Sequence, residues 1–198
     1  MYDSIVVHYG EIGTKGKNRS FFEKKLVENL RWSLKNKFVS VKRIYGRIII
    51  EIDQSTSINE VKENLGNVFG ITNFSFAVKT SFDIEEIKKN ALILIPEKAK
   101  SFRIKATRSN KTFKYSSSEI NNILGEYILK NKNIKVDLEN PDATIYVEIT
   151  ESNAFIYNEK VKSLGGLPVG VSGKVVSLIS GGIDSPVSSF FMMKRGCS

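Results

Sequence analysis

Cysteine and histidine are almost absent. The single cysteine, Cys197, excludes an intramolecular disulfide framework. With His8 as the only histidine, no cysteine/histidine zinc site can be assembled from this chain. No apolar run reaches the length of a membrane span, and the N-terminus lacks the charged-then-apolar pattern of a signal peptide. The expectation is a soluble cytoplasmic protein with no membrane partner. Acidic residues are in deficit too: 21 Asp and Glu stand against 30 Lys and Arg, a net charge of +9. That balance favours anionic partners.

What is present suits a folded chain. At 198 residues with 41% hydrophobic and 26% charged content, it can form one large domain or two small ones. In residues 1–80, "SIVVHY" reads as a strand and "GEIGTKGKNRS" as a glycine-punctuated loop. Ser20 is placed to cap a helix running to about Phe38, with Phe22, Leu26, Leu30 and Leu34 at helical spacing. "VSVKRIY" and "RIIIEI" flank Gly46 as a hairpin. Ser57 opens a second helix that Gly70 closes, and "TNFSFAVKT" is a strand. The order βαββαβ predicts a ferredoxin-like domain.

Residues 81–164 read as a compact α/β domain. Asp83 caps a helix ended by Pro96, and "SFRIKATRS" alternates as a half-exposed strand. A helix follows from Ser118, with Ile120, Ile123, Leu124, Tyr127 and Ile128 on one face. "ATIYVEIT" and "NAFIYNEK" form a hairpin. Residues 165–174 have the composition of a linker.

Residues 175–198 hold one βα unit. "VVSLI" is a continuous apolar run, as in a strand buried within a parallel sheet. "SGGIDS" follows, and either Asp184 or Ser185 can cap the helix "PVSSFFMMKRG". Glycines, free N–H groups and a helix N-terminus together form an anion site, to which Ser180 and Ser185 add hydroxyls. A Mg²⁺ ion would reconcile Asp184 with a phosphate. The Gly-Lys-Ser/Thr ending of a Walker A loop is absent.

These residues carry a family resemblance. "SGGIDS" is similar to the PP-loop of ATP pyrophosphatases. "LISGGIDSPVSSFFMMKRG" and "YGEIGTKGKNRSFFEKKL" resemble tRNA 4-thiouridine synthetase, the tRNA sulfurtransferase family linked also to thiamine biosynthesis. "FRIKATRSNKTF" and "DATIYVEI" resemble its THUMP domain. The resemblance implies an α+β chain: a ferredoxin-like domain (1–80), a THUMP RNA-binding domain (81–164), a linker (165–174) and the first βα unit of a PP-loop domain (175–198). It implies a partner, tRNA, whose uridine 8 is adenylated with ATP and Mg²⁺ and then thiolated. A sulfur-donor protein such as a cysteine desulfurase is a further implied partner. Ser180, Gly181, Gly182, Ile183, Asp184 and Ser185 would hold the pyrophosphate and metal, with Leu178 and Ile179 beside the adenine. The later strands of a PP-loop domain and the family's sulfur-carrying cysteine find no counterpart here; Cys197 does not match that position. The expectation is therefore an RNA-binding part, from a truncated form or an interrupted reading frame, that is not itself a complete catalyst. A stand-alone RNA-binding module and a small-molecule PP-loop ligase are the alternatives, and dimerisation through the apolar βα unit is expected.

The expected RNA surface is the acid-free window 98–114, with Lys98, Lys100, Arg103, Lys105, Arg108, Lys111 and Lys114. Arg103 and Lys105 share one strand face while Phe102 and Ile104 take the other. Phosphate contacts and shape would dominate recognition there. Lys15, Lys17 and Arg19 form a second candidate, and Lys42, Arg43 and Arg47, which flank the hairpin turn, extend the basic surface. His8, Tyr9 and Trp32 read as packing residues.

Overall fold

The computed structural model describes residues 2–35, 37–53 and 55–198. Mixed α/β order runs the whole chain: β1 (Ser4–His8), α1 (Arg19–Leu34), β2 (Ser40–Ile44), β3 (Arg47–Glu51), α2 (Ile58–Gly66), β4 (Asn73–Thr80), α3 (Ile84–Ile93), β5 (Ser101–Arg108), α4 (Ser117–Asn131), β6 (Lys135–Val136), β7 (Ala143–Ile149), β8 (Ala154–Tyr157), β9 (Val161–Lys162) and α5 (Asp184–Lys194). The first six elements follow the expected βαββαβ order. The chain divides into two compact units, one of Ile5–Phe74 with Lys160–Ser198, the other of Met1–Ser4 with Ser75–Glu159.

In the first unit the strands lie in the order β2-β3-β1. β2 and β3 are antiparallel from Ser40↔Glu51 to Ile44↔Arg47, and Gly46 turns the hairpin with φ +81°. Leu26, Leu30 and Leu34 repeat at the i, i+4 spacing and are fully buried. Each contributes about 1.5–3 kcal/mol of apolar burial. Helix α1 begins at Arg19 after Asn18, so Ser20 lies inside the helix and does not cap it. It stops at Lys35, whose left-handed φ of 48° breaks the helical hydrogen-bond pattern. The expected extension to Phe38 is not made, and Asn36 within it lies outside the described residues. Helix α2 ends at Asn67, ahead of Gly70, because Gly70 (φ +100°) instead lies against the Pro168 ring and donates to the Gly165 carbonyl at 2.8 Å.

Strand β8 ends at Tyr157, short of the "NEK" that closes the expected strand "NAFIYNEK". β9 pairs with the start of β4, Phe74↔Val161 and Asn73↔Lys162, within the first unit. The glycine-rich stretch that follows is bound to the end of α5. Leu167 N–H donates to the Lys194 carbonyl (2.9 Å), Ser172 Oγ to the Arg195 carbonyl (2.7 Å), and Gly170 and Ser172 N–H to the Gly196 carbonyl (2.9 and 3.0 Å). The final carbonyls of a helix lack intrahelical donors; here another part of the chain supplies them. Gly166, at φ +78°, is required, since a Cβ there would stand 2.3 Å from the Lys194 oxygen.

In the second unit β8, β7, β5 and β6 are neighbours, with β4 from Val78 to Thr80 along β8. β5 and β7 run parallel from Phe102↔Ala143 to Arg108↔Ile149. Helices α3 and α4 cover one face, placing Ile87, Ala91, Ile120, Leu124 and Ile128 against Phe102, Ile104 and Ile145. Asp83 caps α3 by accepting Glu85 N–H at 3.0 Å. Ser116, not Ser118, caps α4, and Glu119 returns the bond to Ser116 N–H at 2.7 Å.

Candidate functional site

Three clusters carry the chemistry. The first is the terminal loop. The run Val175–Ile179 is not a strand: a strand exists by pairing, and no described strand lies beside it. Val176, Leu178 and Ile179 are 92, 87 and 67% exposed. Helix α5 starts at Asp184 after Ile183, so neither Asp184 nor Ser185 caps it by its side chain. Asp184 instead occupies the first turn, where a carboxylate suits the helix dipole. Ser185 Oγ accepts Ser180 N–H at 2.9 Å, and Ser180 Oγ lies 3.4 Å from Gly182 N–H. The two serines thus fold the loop onto the start of α5. A Cβ at Gly181 would meet open space, so the backbone there is accessible to an incoming group. Hydroxyls, accessible backbone and a free helix N-terminus fit a polyphosphate; one carboxylate beside them fits a Mg²⁺ that takes its other ligands from phosphate and water. Among the described residues no group of three His, Cys, Asp or Glu side chains could hold a metal by itself.

The second cluster is the window 98–114, in and around β5. Lys98, Lys100, Lys105, Lys111 and Lys114 are exposed, as a phosphate-binding row requires. The arginines behave differently. Arg103 Nε donates to Thr144 Oγ1 (3.0 Å) and its Nη1 to the Leu138 carbonyl (3.1 Å), leaving it half-buried. Arg108 sits on the face of Phe102, opposite Lys105, and its Nη1 holds the Phe113 and Tyr115 carbonyls at 3.1 and 3.2 Å. Strand alternation explains this: an even-numbered residue cannot join the odd-numbered face. Asp142 accepts the Lys100 and Ser101 N–H groups (2.8 and 3.0 Å), and these backbone bonds hold its carboxyl below the usual carboxylate range.

The third cluster follows β1. "EIGTKGKN" forms two short 3₁₀ turns, Glu11–Thr14 and Gly16–Asn18, in place of an open loop. Lys17 is exposed, while Lys15 Nζ lies 5.2 Å from the Phe22 ring centre. Arg19 is fixed by Glu23 Oε1 at 2.8 Å and the Tyr9 hydroxyl at 2.8 Å. Tyr9 is buried as expected and also donates to Glu23. Burial first, then that bond to Glu23, push its phenol up to about 12. Arg43 Nη1 stands 3.7 Å from Glu23, and Lys42 is 3.4 Å from Glu51. His8 is half-buried, and its carbonyl accepts Thr72 N–H at 2.8 Å.

Two features differ from the sequence reading or escaped it. Trp32 does not pack: it is 85% exposed, at the rim of a cavity of about 440 Å³ that Phe69 and Met193 also line. Tyr45 is 73% exposed beside Gly46; its place between Arg43 and Arg47 was the available signal. Cys197 is buried just beyond α5, its thiol 3.8 Å from the Ser172 carbonyl. Charge is unevenly shared. The first unit carries 17 Lys and Arg against 8 Asp and Glu, the second 13 against 13.

Residues 4–75 match the ThiI ferredoxin-like domain, 81–159 the THUMP domain, and 170–198 the thiamine biosynthesis protein (ThiI) family. The chain is 46% identical over 199 residues to a probable tRNA sulfurtransferase of Thermoanaerobacter sp. (strain X514), a match covering 99% of this chain and 52% of that relative. It is similar to a crystal structure of a 4-thiouridine synthetase–RNA complex with bound ATP, with TM-score 0.84 and 41% identity over 100% of this chain and 51% of that one. A Pyrococcus horikoshii Ot3 protein of known structure matches with TM-score 0.89 and 38% identity, over 98% of this chain and 66% of that one. The chain spans about half the length of the curated relative.

Proposed function

The chain belongs to the ThiI family of tRNA sulfurtransferases, and from that premise we propose that it is the tRNA-binding part of an ATP-dependent enzyme that places sulfur on uridine 8. The observation that carries this reading is the charge distribution. The unit holding the glycine-serine loop also holds the whole net positive charge, so one body offers both a phosphate cradle and a field that attracts RNA. We take residues 1–80 as the ferredoxin-like domain, 81–164 as the THUMP domain, 165–174 as the linker and 175–198 as the start of the PP-loop domain.

Each named residue has a task in this reading. Lys98, Lys100, Lys105, Lys111 and Lys114 contact phosphates of tRNA, as do Lys15 and Lys17. Arg108 holds the Phe113 and Tyr115 carbonyls on either side of Lys114, Arg103 is tied to Leu138 and Thr144, and Arg19 to Tyr9 and Glu23. Ser180, Gly181, Gly182 and Ser185 would hold the pyrophosphate of ATP, Asp184 its Mg²⁺, and Leu178 and Ile179 the adenine. ATP, when bound, supplies the adenylyl group that turns the uridine 4-oxygen into a leaving group. A cysteine desulfurase is the sulfur donor we expect as partner. The exposed apolar run 175–179 and α5 favour a homodimer, which a concentration-independent monomer mass would refute. No described helix is long and apolar enough to cross a membrane.

Binding of this chain to folded tRNA, with blunt duplex and unstructured RNA as competitors over a salt series, tests the reading. The expected result is preference for folded tRNA at physiological salt. Equal binding to all three, collapsing together as salt rises, would reduce the interface to a nonspecific basic surface.

A further inference from the structure

Tyr45 is displayed in a way its own fold does not need. It sits at the tip of the β2–β3 turn, lifted there by the left-handed Gly46. One face of its ring is covered by the Arg19 guanidinium, 4.8 Å from the ring centre; the side chain as a whole is 73% exposed. Arg19 is not a wandering surface cation. Glu23 and the Tyr9 hydroxyl each hold it at 2.8 Å, and Arg43 neutralises the remaining charge of Glu23 from 3.7 Å. An aromatic ring with a fixed cation behind it and an open face in front is a stacking platform. Arg43 and Arg47 flank it in sequence, and the unit that carries it holds 17 Lys and Arg against 8 Asp and Glu.

We propose that Tyr45 stacks on an unpaired base of the bound RNA, with Arg19 fixing the ring from behind. The proposal rests on the RNA-binding reading above and adds a base contact to its phosphate contacts. An unpaired base is the occupant because bases within an A-form duplex already stack on each other, and only a splayed base offers a free π-face. Base–aromatic stacking tolerates any base, so Tyr45 supplies affinity and register without reading sequence. The Tyr45 hydroxyl is not needed for this.

The test uses the full 198-residue chain with folded tRNA, single-stranded RNA and blunt duplex RNA as probes. Tyr45→Ala is expected to weaken folded tRNA and single strands about tenfold to a hundredfold, with an unchanged salt slope. Tyr45→Phe retains wild-type affinity, and both variants keep the wild-type circular dichroism because the ring is not part of the core. Lys17→Ala serves as the contrast: it lowers the salt slope by about one and acts equally on all RNAs. If wild-type chain binds none of the RNAs, the RNA-binding reading fails and this contact falls with it. If wild type binds but Tyr45→Ala binds as tightly, only the stacking proposal is overturned. An equal loss on blunt duplex, or a shallower salt slope in Tyr45→Ala, would also overturn it by making Tyr45 a backbone contact.

Discussion

Gly165 and Gly166 are adjacent, and both have positive φ, +67° and +78°. Their surroundings differ completely. A Cβ on Gly165 would meet nothing within 4 Å, whereas one on Gly166 would stand 2.3 Å from the Lys194 carbonyl oxygen. Gly165→Ala should therefore cost only the left-handed backbone, about 1 kcal/mol. Gly166→Ala adds to that the loss of the Leu167 N–H bond to Lys194, about 1 kcal/mol. Displacing this strand of chain also weakens the neighbouring Gly170 and Ser172 bonds to Gly196, bringing the total to about 3 kcal/mol. The difference of about 2 kcal/mol is about thirtyfold in a local opening equilibrium. Amide hydrogen exchange at Leu167, Gly170 and Ser172 reads that opening directly. Protection should fall about thirtyfold further in Gly166→Ala than in Gly165→Ala. Equal protection in the two variants would show that 165–172 does not grip the end of α5, and the capping argument would fail.

Other perturbations follow from the same geometry. Ser116→Ala should lower stability by about 1 kcal/mol in urea unfolding, through loss of the α4 cap. The Glu119 carboxyl is held below its usual range by Ser116 N–H, so its contribution is present at neutral pH and is lost as pH falls below about 4. Urea midpoints of Glu119→Gln should accordingly vary less across that acid range than those of wild type. Tyr9 reverses the direction. Burial and the bond to Glu23 push its phenol up to about 12, so its contribution is intact below the ordinary tyrosine value of about 10 and disappears as pH rises from there. Phenolate absorbance should show this late tyrosine, and Glu23→Gln should bring it down. Trp32→Ala should change stability by no more than about 0.5 kcal/mol, since the ring is exposed; a loss above about 2 kcal/mol would mean it is packed.

The sequence pattern was legible where local chemistry decides the outcome. Period-2 alternation gave β5, helical spacing gave α1 and α4, and an acidic cap gave α3. It misled where the deciding partner is remote. Val175–Ile179 has the composition of a buried strand, yet composition cannot supply the neighbour a ladder needs. Likewise, glycine content alone does not reveal that Leu167 and Ser172 close the end of a helix more than twenty residues later. The candidate site shows the same division. The lysines of the 98–114 window are exposed, because long cations on a polar loop or strand face are solvated by default. The Arg108 bond to Phe113 lies on the face that strand parity gives it, whereas the Tyr9 and Glu23 partners of Arg19 meet it only in the fold.

The first unit is discontinuous along the chain, and that bears on how it is made. Phe74 waits for Val161, and Gly70 for the Gly165 carbonyl, across the roughly 85 residues from Ser75 to Glu159. At about 5–20 residues per second, a ribosome needs on the order of ten seconds to deliver them. Throughout that interval the segment Ile5–Phe74 must persist without its last strand or the glycine-rich segment that completes it. The intervening residues bring nearly all of their own partners with them and can consolidate as they emerge. Apart from Met1–Ser4, the unit whose residues emerge first is the one finished last.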